Sequence, residues 1–226
     1  MSTSAPAPRR SGGLPIHLLL VDDHPAVRHG IRQLLAAQAD IVTIAEASSA
    51  SAATSELARW VDLAIVDYHL GGRDGLWLTE QIKQRRSPPP VLIYSAFADA
   101  ALAAAAIVAG ADGMLRKTAL TDELHIAVRR LFHGRQYFPT IPKALAATLR
   151  ARLERRDQAV FSMLIEGIAA AEISARLGIT PAELEARREP IVRAIAPSWG
   201  TASLSARAPA PLDYGRPHHR QRYPPE

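Results

Sequence analysis

The sequence predicts an α/β fold: a parallel five-stranded sheet with helices between its strands, followed by a small all-α region. Three observations predict it. Five short apolar runs alternate with helical patterns as far as residue 134. Those runs are continuously apolar, as strands buried on both faces must be. Beyond residue 142 the patterns are helical only.

The strand-like runs are 16–21, 41–45, 63–66, 91–95 and 113–115. The helical stretches between and after them are 26–37, 51–59, 76–85, 100–109 and 122–133, which makes five βα units. These helices are rich in Ala, which suits close packing on a sheet, but the pattern does not set the strand order. Residues 134–141 form a connector, with Pro139 and Pro142 as breakers. A linker helix is expected over 143–153. Three helices follow, over 159–165, over 170–177 and from Pro181, with Gly167 and Gly178 at the breaks. Helix, short Gly-containing turn, helix is the helix-turn-helix pattern. Thr180-Pro181-Ala182-Glu183 is a strong helix start: Thr caps, Pro takes the first position and Glu closes a capping box. Residues 1–15 and 197–226 are expected to be disordered tails. There are no internal repeats.

Composition narrows the function. Hydrophobic residues make up 48% and charged residues 22%, a globular balance. The absence of Cys excludes disulfides and thiolate metal sites. No apolar window of about 18 residues exists to span a membrane, and residues 1–13 lack the apolar core of a signal peptide. A cytoplasmic protein is expected. Aromatic residues are only 5%, which argues against reading bases by stacking. The net charge of +5 raises the prospect of a nucleic-acid partner. Divided by segment, however, the excess lies in the two tails and the connector. Residues 151–195 hold seven basic and seven acidic side chains.

The strongest chemical signal is a set of polar residues at strand ends. Asp22 and Asp23 follow the first run, Asp67 follows the third, Ser95 ends the fourth and Lys117 follows the fifth. In a parallel sheet all of these lie at the carboxyl edge, where open α/β sheets bind ligands. Converging carboxylates repel one another, and a hard divalent cation such as Mg²⁺ relieves that with oxygen ligands. A carboxylate can also attack phosphorus to give an aspartyl phosphate. The metal, a Ser hydroxyl and a Lys ammonium would then hold the phosphoryl oxygens.

Residues 16–134 resemble the receiver domain of two-component response regulators. The matching stretches are LLLVDDHPAVRHGI (18–31), LAIVDYHLGGRDGL (63–76), VLIYSAF (91–97) and AGADGMLRKT (109–118). The opening VDDHP is typical of members with a LuxR/FixJ-type (NarL-like) output domain. The resemblance implies a flavodoxin-like, doubly wound sheet of order 2-1-3-4-5. It implies that Asp67 is the phospho-acceptor, that Asp22, Asp23 and Asp67 bind Mg²⁺ with the backbone carbonyl of His69, and that Lys117 pairs with the phosphate. Ser95 becomes the switch hydroxyl. Met114 stands where the family usually has its switching aromatic residue, and Gly71 where it often has Pro. The implied donor is a sensor histidine kinase. The implied response is homodimerisation on phosphorylation.

Residues 153–196 resemble the LuxR-type helix-turn-helix, over LERRDQAVFSMLIEGIAAAEISARLGITPAELEARREPIVRAI. The apolar skeleton agrees, with residues 135–152 as the linker. The polar skeleton diverges. Ala169, Ala170 and Ala171 stand where the family places polar or basic residues, and Glu185 stands in place of Lys. Arg187, Arg188 and Arg193 are the candidate contacts to double-stranded DNA. Pro190 removes a helical hydrogen bond at a cost of about 3 kcal/mol, so the third helix is expected to end or kink near Glu189. Two readings follow. In one, phosphorylation controls transcription through DNA binding. In the alternative, the degenerate helix-turn-helix is a protein-interaction or dimerisation module. Beyond residue 135 no cluster has catalytic spacing, so no enzyme activity is expected, and His218–His219 in the tail reads as incidental.

Overall fold

A computed structural model describes residues 15–57 and 60–196. The two expected tails, Pro15 excepted, lie outside the described residues, as do Ala58 and Arg59 at the end of one expected helix. The strands are β1 (Ile16–Val21), β2 (Ile41–Ala47), β3 (Leu63–Val66), β4 (Val91–Ser95) and β5 (Gly113–Arg116). They form one parallel sheet of order β2-β1-β3-β4-β5. The helices between and after them are α1 (Pro25–Ala36), α2 (Ala50–Glu56), α3 (Gly75–Lys83), α4 (Ala100–Ala109) and α5 (Thr121–Phe132).

The strands read as apolar runs because both faces are covered. Leu19, Val21, Ala64, Val66, Ile93 and Met114 pack towards α2, α3 and α4. Leu18, Leu20, Leu63, Ile65, Leu92 and Leu115 pack towards α1 and α5. Local chemistry starts three of the helices. Ser49, Asp74 and Asp99 accept from the backbone N–H of Ala52, Trp77 and Leu102, satisfying donors that a helix start leaves free. The connector does more than join. Met114 N–H donates to the Tyr137 carbonyl and Tyr137 N–H to the Asp112 carbonyl, so the chain lies along the free edge of β5. This covers backbone groups that would otherwise be open for pairing.

Four helices complete the described chain: α6 (Lys143–Arg150), α7 (Arg155–Ile165), α8 (Ala170–Leu177) and α9 (Pro181–Ile195). Gly178, at φ 65°, ends α8 in the left-handed conformation that favours glycine. Thr180 and Glu183 form the expected capping box, Glu183 N–H donating to Thr180 Oγ1 and Thr180 N–H to Glu183 Oε2. These helices do not stand apart from the sheet domain. Helices α6, α7 and α9 all contact α4, and Leu149, Phe161, Leu164, Leu184, Ile191 and Ile195 join the same core as α4. Among the described residues no helix is long and apolar enough to cross a membrane.

The expected break near Glu189 does not occur. Helix α9 runs unbroken through Pro190 to Ile195. Two causes act together. Leu184, Ile191 and Ile195 are buried on one face, so stopping at Glu189 would forfeit the burial of two Ile side chains, worth about 1.5–3 kcal/mol each. Pro190 and Ala186 are exposed, so the carbonyl that Pro190 deprives of a donor can turn to water. Pro190 is therefore tolerated at a local cost. Pro190→Ala should raise stability by up to about 3 kcal/mol, read as a higher urea midpoint. A lowered midpoint would show that the proline itself is needed.

Candidate functional site

The backbone carries each polar residue one step beyond its strand and holds it there. Asp22 N–H donates to the Ala47 carbonyl, Asp67 N–H to Val21 and Lys117 N–H to Ser95. Each loop thus begins on a sheet hydrogen bond, and the side chains converge at the carboxyl edge. Lys117 Nζ lies 2.5 Å from Asp22 Oδ2 and 2.8 Å from Asp67 Oδ2. Both carboxylates are nearly inaccessible to solvent, and Ser95 is fully buried beside them on β4. Asp22, Asp23, His24 and Asp67 place ligand atoms within 4.8 Å of one another.

The arrangement gathers two buried acidic side chains around one ammonium group, with Asp23 close by in the same loop. Burial pushes the Asp67 carboxyl up, Lys117 pulls it down, Asp22 pushes it up again, and a hydrogen bond from the His69 backbone pulls it down. A second cation would relieve the remaining repulsion. The donors suit a hard ion, because three of the four side chains offer carboxylate oxygen. His24 is held within the loop: its N–H donates to Asp22 Oδ1 at 2.8 Å, and its Nδ1 lies 2.7 Å from Asp23 Oδ1.

Of the residues singled out from the sequence, Asp22, Asp23, Asp67, Ser95 and Lys117 come together. His69 lies next to them, its ring edge-on to Tyr68 and Phe97. Met114 is wholly buried and faces the core shared with α4. Each of the three candidate DNA-contacting arginines has a partner within the protein. Arg187 donates to the Arg156 carbonyl at 2.9 Å. Arg188 pairs with Glu185 and donates at 2.5 Å to the Val108 carbonyl of α4. Arg193 is exposed and paired with Glu189.

Sequence reasoning missed three supports of the site. Arg28, one turn into α1, donates to the Asp22 carbonyl at 2.6 Å. Arg116 donates to the Ala98 carbonyl at 2.9 Å and ties β5 to the loop after Ser95. Gly75 packs against the backbone of Asp67 itself. A Cβ there would lie 2.2 Å from the Asp67 carbonyl oxygen, too close for any side chain. Only Gly75, the last of three glycines in the HLGGRDGL run, could have signalled this from the sequence. Gly75→Ala must push the Asp67 loop aside, so a loss of about 1–3 kcal/mol is expected by thermal unfolding. An unchanged melting temperature would refute the close packing.

Comparison with known proteins matches this geometry. Residues 18–129 match the family model described as response regulator receiver domain. The transcriptional regulatory protein UhpA of Salmonella typhimurium is 34% identical over 175 residues, 76% of this chain and 88% of that protein. The nitrate/nitrite response regulator protein NarL of Escherichia coli is 28% identical, over 74% of this chain and 82% of its own length. A crystal structure of a LuxR-family two-component response regulator from Aurantimonas superposes with a TM-score of 0.53 at 30% identity, over 62% of this chain and 99% of that one. The aligned length in UhpA exceeds the receiver match, so the likeness continues into the C-terminal helices. With its acidic sheet edge, 2-1-3-4-5 order and helical C-terminal region, the chain belongs to the LuxR/NarL family of two-component response regulators.

Proposed function

We propose that this response regulator accepts a phosphoryl group on Asp67 from a sensor histidine kinase and thereby controls DNA binding by its C-terminal helices. The observation that carries the reading is the contact of Lys117 Nζ with both Asp22 and Asp67. An Asp67 oxygen attacks phosphorus as the bond to the donor breaks. Lys117 neutralises charge on the phosphoryl oxygens, and the Ser95 hydroxyl turns to donate to one of them. Asp22, Asp23, Asp67 and the backbone carbonyl of His69 are the proposed holders of Mg²⁺. When bound, the ion supplies a positive charge that draws the phosphoryl oxygens and the carboxylate together.

The chain divides accordingly into a receiver over 16–134, a linker over 135–152 and the helix-turn-helix over 153–196. In the arrangement described above, α9 rests on α4 and Arg188 is occupied by Val108. Drawing Ser95 towards the phosphoryl group pulls the loop that leads into α4, and with it the surface under α9. Freed, Arg187, Arg188 and Arg193 become available to DNA, and two phosphorylated copies bind a paired site as a homodimer. The transcriptional role named for UhpA favours this reading over a purely protein-binding helix-turn-helix.

Intact mass after treatment with acetyl phosphate and Mg²⁺ tests the acceptor. One phosphoryl group should be gained by the wild type and none by Asp67→Asn. An unmodified wild type would overturn the assignment. Phosphorylation should also enhance a DNA affinity that falls steeply with salt. Absence of specific binding at low salt, with or without acetyl phosphate, would remove the DNA arm.

A further inference from the structure

A groove of about 340 Å³ runs between α3 and the overhanging edge of α9. It has no part in the chemistry at Asp67. From the receiver it is lined by Arg73, Trp77 and Glu80, and from α9 by Glu185, Arg188 and Glu189. Most of its charges are matched. Arg73 stacks over the Trp77 ring, Arg188 pairs with Glu185, and Glu189 pairs with Arg193. Glu80 is the exception. Its Oε1 is shielded and accepts no hydrogen bond among the described residues.

Arg73 is turned to the Trp77 ring and Arg193 to Glu189, so the charges that act on Glu80 itself are Glu189, Asp74 and Glu185 against Arg188 alone. Helix α9 presents Glu185, Arg188 and Glu189 towards the groove. Its own helix adds Asp74 at the cap and Lys83, but Lys83 is occupied by Asp112 at 2.5 Å. Helix α4, which packs on α3, carries no ionisable residue, and α2 carries only Glu56. An ionised carboxylate here has one oxygen without water or a hydrogen-bond partner, and α9 adds the like charges of Glu189 and Glu185.

We propose that this groove is a proton-dependent latch: protonated Glu80 is accommodated with α9 docked on the receiver, whereas its ionisation drives α9 away. Burial first, then the Glu189 and Asp74 charges, outweigh Arg188 and raise the Glu80 carboxyl from its ordinary 4.5 to about 7, with Glu185 adding to the rise. The sign follows from linkage. The docked form holds the proton more tightly than the released form, so acid favours docking. As pH rises through the interval between the two values, docking weakens. Above about pH 7 the full penalty applies. The ratio of released to docked chain should rise by up to about tenfold between about pH 6 and about pH 8. The device operates on the unphosphorylated chain, so its failure would leave the assignment of Asp67 untouched.

Trp77 reports directly on the groove. In the full chain carrying Trp60→Phe and Trp199→Phe, acrylamide quenching of Trp77 should increase with pH, with a midpoint near neutrality. Glu80→Gln should keep Trp77 shielded across the whole range. Glu189→Gln removes the strongest like charge on the exposed side and should move the midpoint to lower pH. A flat profile in the parent, the same profile in Glu80→Gln, or an unmoved midpoint in Glu189→Gln would each overturn the latch.

Discussion

Helix α4 cannot face water, and the architecture follows from that constraint. Its ten residues, AALAAAAIVA, contain no polar side chain. A helix apolar on all sides must be buried on all sides. The sheet covers one side. On the others, α3 packs beside it while α6, α7 and α9 close over it. The receiver and the C-terminal helices therefore share one core rather than meeting at a polar surface. Alanine suits the position, because its small side chain lets neighbouring helices approach while costing little conformational entropy.

The functional edge lies at one end of this helix and the output contact at the other. Asp99 caps α4 four residues after Ser95. Arg116 holds the Ala98 carbonyl just before that cap. At the far end the Val108 carbonyl accepts from Arg188, one residue from Ala109, where α4 ends. Ten helical residues span about 15 Å. On the proposed reading, a displacement at Ser95 would be carried across that span by a closely packed element, since close-packed interiors transmit strain rather than absorb it. Met114 lies in the same core, so the unusual residue at that position borders the path.

The sheet was legible in the sequence because burial on both faces writes continuous apolar runs, and its carboxyl edge because each polar residue follows such a run directly. Strand order was not legible from pattern, since pairing is non-local; the family resemblance supplied it. The course of α9 was misjudged for a related reason. Pro190 is a local signal, whereas the opposing signal, burial of Leu184, Ile191 and Ile195, becomes visible only when a partner surface exists. The uninterrupted apolar character of α4 was that partner surface in plain view. Read only as a helix suited to a sheet, it concealed the need for a second cover. The neutral charge of residues 151–195 also gains a structural meaning. Arg176, Arg188 and Arg193 each pair with a carboxylate three or four residues away on the same helix.

Those pairs bear on how release can work. A ligand or modification shifts a conformational equilibrium only by its differential interaction with the two states. In the docked state Arg188 is satisfied by Glu185 and by the Val108 carbonyl, at 11% side-chain exposure. Undocking removes the second partner but returns the guanidinium to water, which replaces it, so this hydrogen bond holds the state weakly on balance. The larger holding term is apolar: the cover that α9 gives to α4. That term carries no charge, so changes at the acidic sheet edge cannot oppose it electrostatically. On the proposed reading they act by moving α4, changing the shape of the surface that α9 fits. Glu80 acts on the same equilibrium from the polar rim, where charge and hydration do count.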